Sequence, residues 1–123
     1  MESQEFVKQL FEIQELMKEE KYAEALILIS KLKEIEKKGD FDYNLTHKLY
    51  QLDSNCRSLF NQDKILKQIH AVSQNQNSIS FHELKESLKT VLNLDEGLLR
   101  REIELLILRG LLNCKIEDNE LKF

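Results

Sequence analysis

The chain contains no proline, and its only glycines are Gly39, Gly97 and Gly110. Because proline and glycine are the residues that most readily interrupt helices, a chain of 123 residues that nearly lacks them can form long helices. Hydrophobic residues make up 41% of the chain and charged residues 33%, a balance typical of globular proteins. The same scarcity of glycine leaves no glycine-rich loop of the kind that surrounds a phosphate group.

Apolar residues recur at helical spacing in the first part of the chain. A first helix is predicted over residues 3–18 and a second over about 22–37, which together form a helical hairpin. The second helix is expected to end at "KKGD", where lysines favour the negative end of the helix dipole and Gly39 suits the position after the last turn. The stripe of the first helix consists of Phe6, Leu10, Ile13 and Met17.

Two further helices are predicted before residue 78. Asp42 or Asn44 can cap the third, whose apolar stripe extends to Leu59. A step at "NQD", residues 61–63, is expected to separate it from a fourth helix around 65–72. The polar stretch "SQNQNS", residues 73–78, is interpreted as a lobe boundary, which gives a helical lobe over 1–77 and a second lobe over 78–123.

The second lobe begins with a short strand at Ile79 and then forms two helices. Ser80 and Glu83 have the spacing of a capping box, in which each side chain satisfies a free backbone N–H group. Asp95 is expected to cap the next helix, and Gly110 to end it. The residues expected inside are Phe81, Leu84, Leu88, either Val91 or Leu92, and then Leu99, Ile103 and Leu106.

The last residues alternate between apolar and polar, which predicts a terminal β-hairpin. Leu112, Cys114 and Ile116 alternate on the first strand, and Asp118-Asn119 supplies a two-residue turn. The order strand, helix, helix, strand, strand is that of a winged helix, a helix-turn-helix backed by a hairpin. The predicted fold class is therefore mainly α: a helical hairpin or bundle followed by a C-terminal winged helix.

The final segment, "LILRGLLNCKIEDNELKF", resembles the end of the winged helix in PCI domains. These domains occur in subunits of the proteasome lid, the COP9 signalosome and translation initiation factor 3. The N-terminal segment "FVKQLFEIQELMKEEKYAEALILISKL" is similar to a tetratricopeptide-like helix pair, which PCI domains place ahead of their winged helix. Other adaptors that combine helices with a winged helix, such as the ESCRT-II and ufmylation-ligase types, are alternative relatives. The matching positions are Leu106-Ile107, Gly110, Leu112, Cys114 and Ile116-Glu117.

Nothing in the sequence predicts catalysis, a cofactor or a metal. The three histidines, at positions 47, 70 and 82, have no ligand partner at a recognised spacing, and we expect them in solvent or in local hydrogen bonds. No nucleophile motif occurs, so we expect a protein that is not an enzyme. Cys56 and Cys114 are expected as free thiols. The chain has no candidate membrane span and no signal peptide pattern, which favours a cytoplasmic protein, with a nuclear one as the alternative.

The charge pattern makes nucleic-acid binding the less favoured alternative. The net charge is −4, and residues 1–77 and 78–123 each carry −2, without the cluster of basic residues that neutralises phosphates. Arg100 and Arg101, on the helix that would enter a major groove, could meet phosphates, but Glu96 and Glu104 would repel them. The predicted hairpin tip, residues 117–120, is also acidic. A small DNA-binding transcriptional regulator remains the rival prediction.

An excess of apolar residues in "LLILRGLL" favours a protein interface. Leu108 lies about 200° around the helix from Leu106, and Leu111 alternates with Leu112, so both are expected to point outward. Packing of the helical lobe over them is the alternative. Leu121 and Phe123 are predicted on an edge strand that a partner strand could extend. The PCI resemblance implies such edge pairing between winged helices.

These observations predict a non-catalytic scaffold or adaptor subunit of a larger complex. Its partners would be other protein subunits, and a homodimer is an open possibility. The predicted protein-binding residues are Arg100, Arg101, Leu108, Leu111, Leu121 and Phe123.

Overall fold

The computed structural model describes all residues from Met1 to Phe123. It confirms a mainly helical chain with a small antiparallel sheet at its C-terminal end, and 69% of the residues are helical. None of its helices combines the length and apolar character needed to cross a membrane. The elements are α1 (Ser3–Lys18), α2 (Tyr22–Lys38), α3 (Tyr43–Ser73), β1 (Ser78–Ser80), α4 (Phe81–Leu88), α5 (Glu96–Leu108), β2 (Lys115–Glu117) and β3 (Glu120–Lys122).

The chain divides into two compact units. Unit 1 comprises Met1–Phe60 and unit 2 comprises Asn61–Phe123, so the division falls within α3. The stretch 73–78, interpreted above as the lobe boundary, contains the last residue of α3, the turn after it and the first residue of β1.

The predicted third and fourth helices are one continuous helix, α3, so the expectation of a step at 61–63 is wrong. The apolar stripe is interrupted there because Gln62 occupies an inward position and is buried. Its side chain donates to the carboxylate of Glu102 (3.4 Å) and accepts from Arg109. A polar residue with buried polar partners thus continues the inner face of a helix without contributing to its hydrophobic pattern.

Unit 1 is held together by one apolar core between its three helices. Asp42 provides the cap of α3, since its Oδ1 accepts from the backbone N–H of Asn44 (2.9 Å). The α1 stripe is inside as predicted except for Met17, which is partly buried at the margin of the core. The buried members are Phe6, Leu10, Ile13, Ala25, Ile29, Leu32, Leu49, Leu52 and Cys56.

Unit 2 begins its two short helices at the predicted residues. Ser80 Oγ accepts from the backbone N–H of Glu83 (3.1 Å), and Asp95 Oδ1 accepts from that of Leu98 (2.7 Å). The return half of the capping box differs, because the Glu83 carboxylate accepts from the Ser80 hydroxyl. Leu92, and not Val91, completes the buried face of this segment. The other buried apolar residues of unit 2 are Ile65, Ile69, Ile79, Phe81, Leu84, Leu88, Leu99, Ile103, Leu106, Leu112 and Leu121.

The sheet of unit 2 has the strand order β1-β3-β2, with both pairings antiparallel. In this register Leu121 lies between Ile79 on one side and Ile116 on the other. The prediction that Leu121 and Phe123 belong to an edge strand is therefore wrong, because β3 is the central strand. The hairpin alone could not reveal this, since β1 could in principle have joined either of its strands.

Candidate protein-interaction site

Helix α5 buries one face and leaves a leucine on the other. Leu99, Ile103 and Leu106 are buried, as their spacing predicts. Leu108, two residues beyond Leu106, is 82% exposed. Burial of a leucine side chain is favourable by roughly 2 kcal/mol. A leucine this exposed therefore indicates an interaction surface when other apolar groups adjoin it.

The chain leaves α5 through a left-handed glycine. Gly110 has φ +74°, a conformation that residues with a Cβ atom rarely adopt, and this reverses the chain toward β2. Leu111, the next residue, is 49% exposed, whereas Leu112 is buried. The two leucines are thus divided between surface and interior as their alternation predicts, although strand β2 begins only at Lys115.

A groove of about 550 Å³ lies between the second half of α5 and β2. Leu108 and Ile107 contribute from the helix, and Cys114 and Ile116 from the chain that enters the strand. Ile107, Cys114 and Ile116 are half-buried, and burial raises the pKa of the Cys114 thiol. The groove therefore has an apolar lining with the exposed Leu108 as one wall.

The backbone of β3 is engaged on the β1 side. Phe123 N donates to the carbonyl oxygen of Asn77 (3.0 Å), which extends the ladder beyond the strand ends. In an antiparallel ladder, residues two positions apart direct their N–H and C=O groups to the same side. The backbone N–H and C=O groups of Leu121 therefore point toward Ile79 on β1 and away from β2.

The opposite holds for the residue that faces Leu121 on β2. Because the backbone groups of Leu121 point toward β1, Ile116 and Leu121 form a non-hydrogen-bonded pair, and the N–H and C=O groups of Ile116 point to the outer edge of β2. No strand lies beyond β2 in the sheet. The edge with outward backbone groups is thus at Ile116, and it adjoins the apolar groove.

The charged residues around this groove are predominantly acidic. Helix α5 with its two cap residues carries four carboxylates and three arginines, and the hairpin 115–122 carries three carboxylates and two lysines. Glu104 and Glu117 line the groove, together with Lys115. This surface has no excess of positive charge, which a polyanion would need.

Arg100 and Arg101, both predicted as contact residues, have different surroundings. Arg100 is half-buried: its guanidinium lies 5.4 Å from the centre of the Phe81 ring and pairs with Glu104 (3.3 Å). It also approaches the backbone carbonyl oxygen of Asp118 (3.5 Å), so it links α5 to the hairpin turn. Arg101 is exposed. Of the two, Arg101 has the greater freedom to contact a partner.

The two C-terminal candidates differ in the same way. Leu121 is fully buried and belongs to the interior of unit 2, so it is not a surface contact. Phe123 is 39% exposed, but its backbone N–H is already bonded to Asn77. The structure thus brings Leu108 together with Ile116, a residue that the sequence did not single out as a contact.

The histidines and cysteines are dispersed. His82 Nδ1 lies 3.5 Å from a carboxylate oxygen of Glu96, and the ring of His47 stacks on that of Tyr43. Cys56 is buried and Cys114 half-buried, and both are free thiols. No group of three or more histidine, cysteine or carboxylate side chains is arranged to hold a metal ion.

No protein-family model, curated protein or solved structure matches this chain. The groove and the β2 edge are therefore interpreted from their own geometry.

Glu102, buried among the apolar residues of α5, is a further residue that the sequence did not predict inside. The sequence signal available for it was its position beside Ile103, on the inner side of the predicted helix.

Proposed function

We propose that this protein is a non-catalytic interaction subunit whose unit 2 is a winged helix similar to those of PCI domains. It docks another protein chain by pairing an extended segment of that chain with β2 and inserting apolar side chains into the α5–β2 groove. The observation that carries the proposal is the 82% exposure of Leu108 beside the outward backbone groups of Ile116.

The element order of unit 2 supports the winged-helix part of the proposal. Strand β1 is followed by α4 and α5, and then by the hairpin β2–β3, which joins β1 in one sheet. Helix α5 would be the second helix of a helix-turn-helix, and residues 117–120 the tip of the wing. The α1–α2 pair ahead of it agrees with the tetratricopeptide-like resemblance.

Strand addition at β2 would satisfy groups that the isolated chain leaves toward solvent. Main-chain hydrogen bonds contribute affinity in this mode of recognition, and pockets for alternate side chains contribute specificity. Here the outward N–H and C=O groups of Ile116 would supply the former, and the groove beside Leu108 the latter. Because Glu104 and Glu117 line the groove, a partner segment with an apolar residue flanked by lysine or arginine fits it.

Nucleic-acid binding is less well supported by the same surfaces. On α5, Arg100 is occupied by Glu104 and the Phe81 ring, and the wing tip carries three carboxylates in residues 117–120. A DNA-contacting helix and wing would need a surplus of positive charge at both places.

The test is capture of partners from extract of the source cells by tagged wild type, Leu108→Glu and Val91→Glu. Val91 is a matched control because it is an apolar residue of unit 2 with 54% exposure that does not line the groove. We expect a set of proteins, resistant to nuclease, to bind wild type and Val91→Glu but not Leu108→Glu. Circular dichroism should give the same helix content for all three.

Three results would overturn the proposal. The first is an equal set of partners with Leu108→Glu, which removes the groove from the interface. The second is bound material that nuclease releases, which favours the transcriptional regulator. The third is unfolding of Leu108→Glu alone, which would make Leu108 a core residue.

A further inference from the structure

The charged residues of β2 face like charges inside the chain. Lys115 lies directly opposite Lys122, and Glu117 lies directly opposite Glu120. Like charges at directly opposite positions of an antiparallel pair are destabilising. The lysine of β3 instead pairs along its own strand with Glu120 (2.8 Å), and Lys115 is exposed. The hairpin thus gives neither charge of its edge strand an opposite charge at the directly facing position, although Glu117 also attracts Lys122, whose pKa is raised first by its hydrogen bond to Glu120 and also by the charge of Glu117.

The sequence of β2 is complementary to itself. If two copies of Lys115-Ile116-Glu117 run antiparallel with Ile116 facing Ile116, each Lys115 lies opposite Glu117 of the other copy. Both mismatched charges would then gain an opposite charge at a directly facing position, where such pairs are favourable.

The backbone geometry allows this register and excludes its neighbours. Ile116 directs both of its backbone groups outward, so two facing copies can exchange two hydrogen bonds. A register centred on Lys115 or Glu117 would place like charges opposite each other and would use backbone groups already turned toward β3. If the two facing strands were shifted by one residue, Ile116 on the inner face of one copy would lie beside a residue on the outer face of the other, so the two inner faces would not be continuous.

We infer that the occupant of the β2 edge is a second copy of this chain, joined in a symmetric dimer centred on Ile116. This inference rests on the proposed docking mode and names its partner. The two-fold axis stands perpendicular to the joined sheet, so the inner faces of both copies lie on one side. Each copy then brings its groove, with the exposed Leu108, toward the other over the joined strands.

The other edge of the sheet does not offer the same surface. Strand β1 runs directly into α4 through Ser80, whose hydroxyl accepts from the first turn of that helix. Ile79, at the centre of β1, directs its backbone toward β3. The self-complementary charges and the adjoining groove occur only at β2.

The experiment is sedimentation equilibrium of the purified full chain from roughly 1 µM to 1 mM, the range expected for a small interface. Wild type is compared with Lys115→Glu, Glu117→Lys, an equimolar mixture of these two, and the variant that carries both changes. Each single reversal turns two attractive pairs into two repulsive ones, so we expect its Kd to rise by about tenfold. In the mixture every facing pair is attractive again, and the double variant regains self-complementarity.

The expected result is a wild-type dimer, weakened in each single variant and restored both in the mixture and in the double variant. Lys115→Glu should also unfold at a temperature no lower than wild type at low concentration, because it removes the repulsion from Lys122. A variant that dimerises more weakly but unfolds at no lower a temperature has lost association and not its fold, which excludes misfolding as the cause.

A wild type that stays monomeric over the whole range would overturn the inference, as would single variants that dimerise like wild type or a mixture that does not associate. These results are independent of the capture experiment. If wild type is monomeric but Leu108→Glu still abolishes capture of partners, the docking site is supported and its occupant is another protein. If wild type dimerises as expected but captures no other protein, the β2–β2 register is supported and the adaptor role is contradicted.

Discussion

Ile116 lies directly opposite Leu121 in the sheet of unit 2, and the two residues divide the sheet between interior and edge. Leu121 is fully buried on the central strand, with Ile79 on its other side, whereas Ile116 is half-buried on a strand that has only one neighbour. The side chains share the inner face, and the outward backbone groups belong to Ile116. A surface for strand addition is therefore one strand away from the place that the hairpin sequence suggested.

Substitution of Leu121, at the centre of β3, and of Phe123, the residue just after β3, tests this division. Leu121→Ala removes a fully buried side chain and should lower the free energy of unfolding by about 3 kcal/mol, since the surrounding residues can only partly fill the cavity. Phe123→Ala acts on a partly exposed side chain and should cost less than about 1 kcal/mol. Urea denaturation followed by circular dichroism measures both. A Leu121→Ala variant as stable as Phe123→Ala would contradict the central position of β3.

Most of the helical structure could be predicted because its signals are local. The bounds of α1, the Ser80 and Asp95 caps and the buried face of α5 depend on spacing and capping within a few residues. The sheet order and the buried role of Gln62 depend on residues far apart in the chain, such as the pairing of β1 with β3 and the contact between Gln62 and Glu102. No pattern within one segment carries that information.

The candidate site was predictable in part for the same reason. The angle around the helix predicts that Leu108 points outward, and the alternation with Leu112 predicts the same for Leu111; both residues are exposed. Arg100 was expected to contact a partner, but its guanidinium also contacts the Phe81 ring and the turn at Asp118, residues distant in sequence that no local pattern links to it. The assignment of Leu121 failed because the identity of an edge strand is a property of the whole sheet.

The left-handed conformation of Gly110 predicts a cost for a side chain at that position. Gly110→Ala should lower the free energy of unfolding by about 1 kcal/mol, although nothing lies within 4 Å of the added Cβ, because φ of +74° is strained for alanine. Gly97→Ala is the matched control, since Gly97 lies in the first turn of α5 and needs no positive φ. It should leave stability unchanged or raise it slightly. Thermal unfolding of the two variants beside wild type gives the comparison, and equal costs would contradict it.

Asp53 is a buried carboxylate of unit 1 that pairs with two cations. Lys33 Nζ contacts Oδ2, and Arg57 Nε lies 2.9 Å from Oδ1. Asp53→Ala should destabilise the protein by about 2 kcal/mol, because it leaves the largely buried Lys33 ammonium without its carboxylate and with only the Tyr50 ring, whose centre is 4.8 Å away. The exposed Arg57 contributes little. Asp63→Ala, which removes a more exposed pair with Lys67, should cost less than about 1 kcal/mol. Chemical denaturation checks both values, and a neutral Asp53→Ala would show that this pair does not stabilise unit 1.

The buried thiol of Cys56 should make stability depend on pH in the alkaline range. Burial, assisted by the negative charge of Asp53, raises the pKa of Cys56 from 9.0 to about 11, and its thiol donates to the carbonyl oxygen of Tyr22 (3.6 Å). Between these two pH values the unfolded chain releases the thiol proton while the folded chain retains it. Unfolding then releases protons, so the contribution of Cys56 is complete below pH 9 and is lost as the pH rises toward 11.

The difference in unfolding free energy between wild type and Cys56→Ala isolates this contribution, because the other titrating groups, Cys114 included, are present in both proteins. The cavity left by alanine adds an offset that does not vary with pH. We expect the stability advantage of wild type to be constant from pH 7 to about 8.5 and to shrink between pH 9 and 11. An advantage that stays constant over this range would mean that Cys56 is as accessible to ionisation in the folded chain as in the unfolded one.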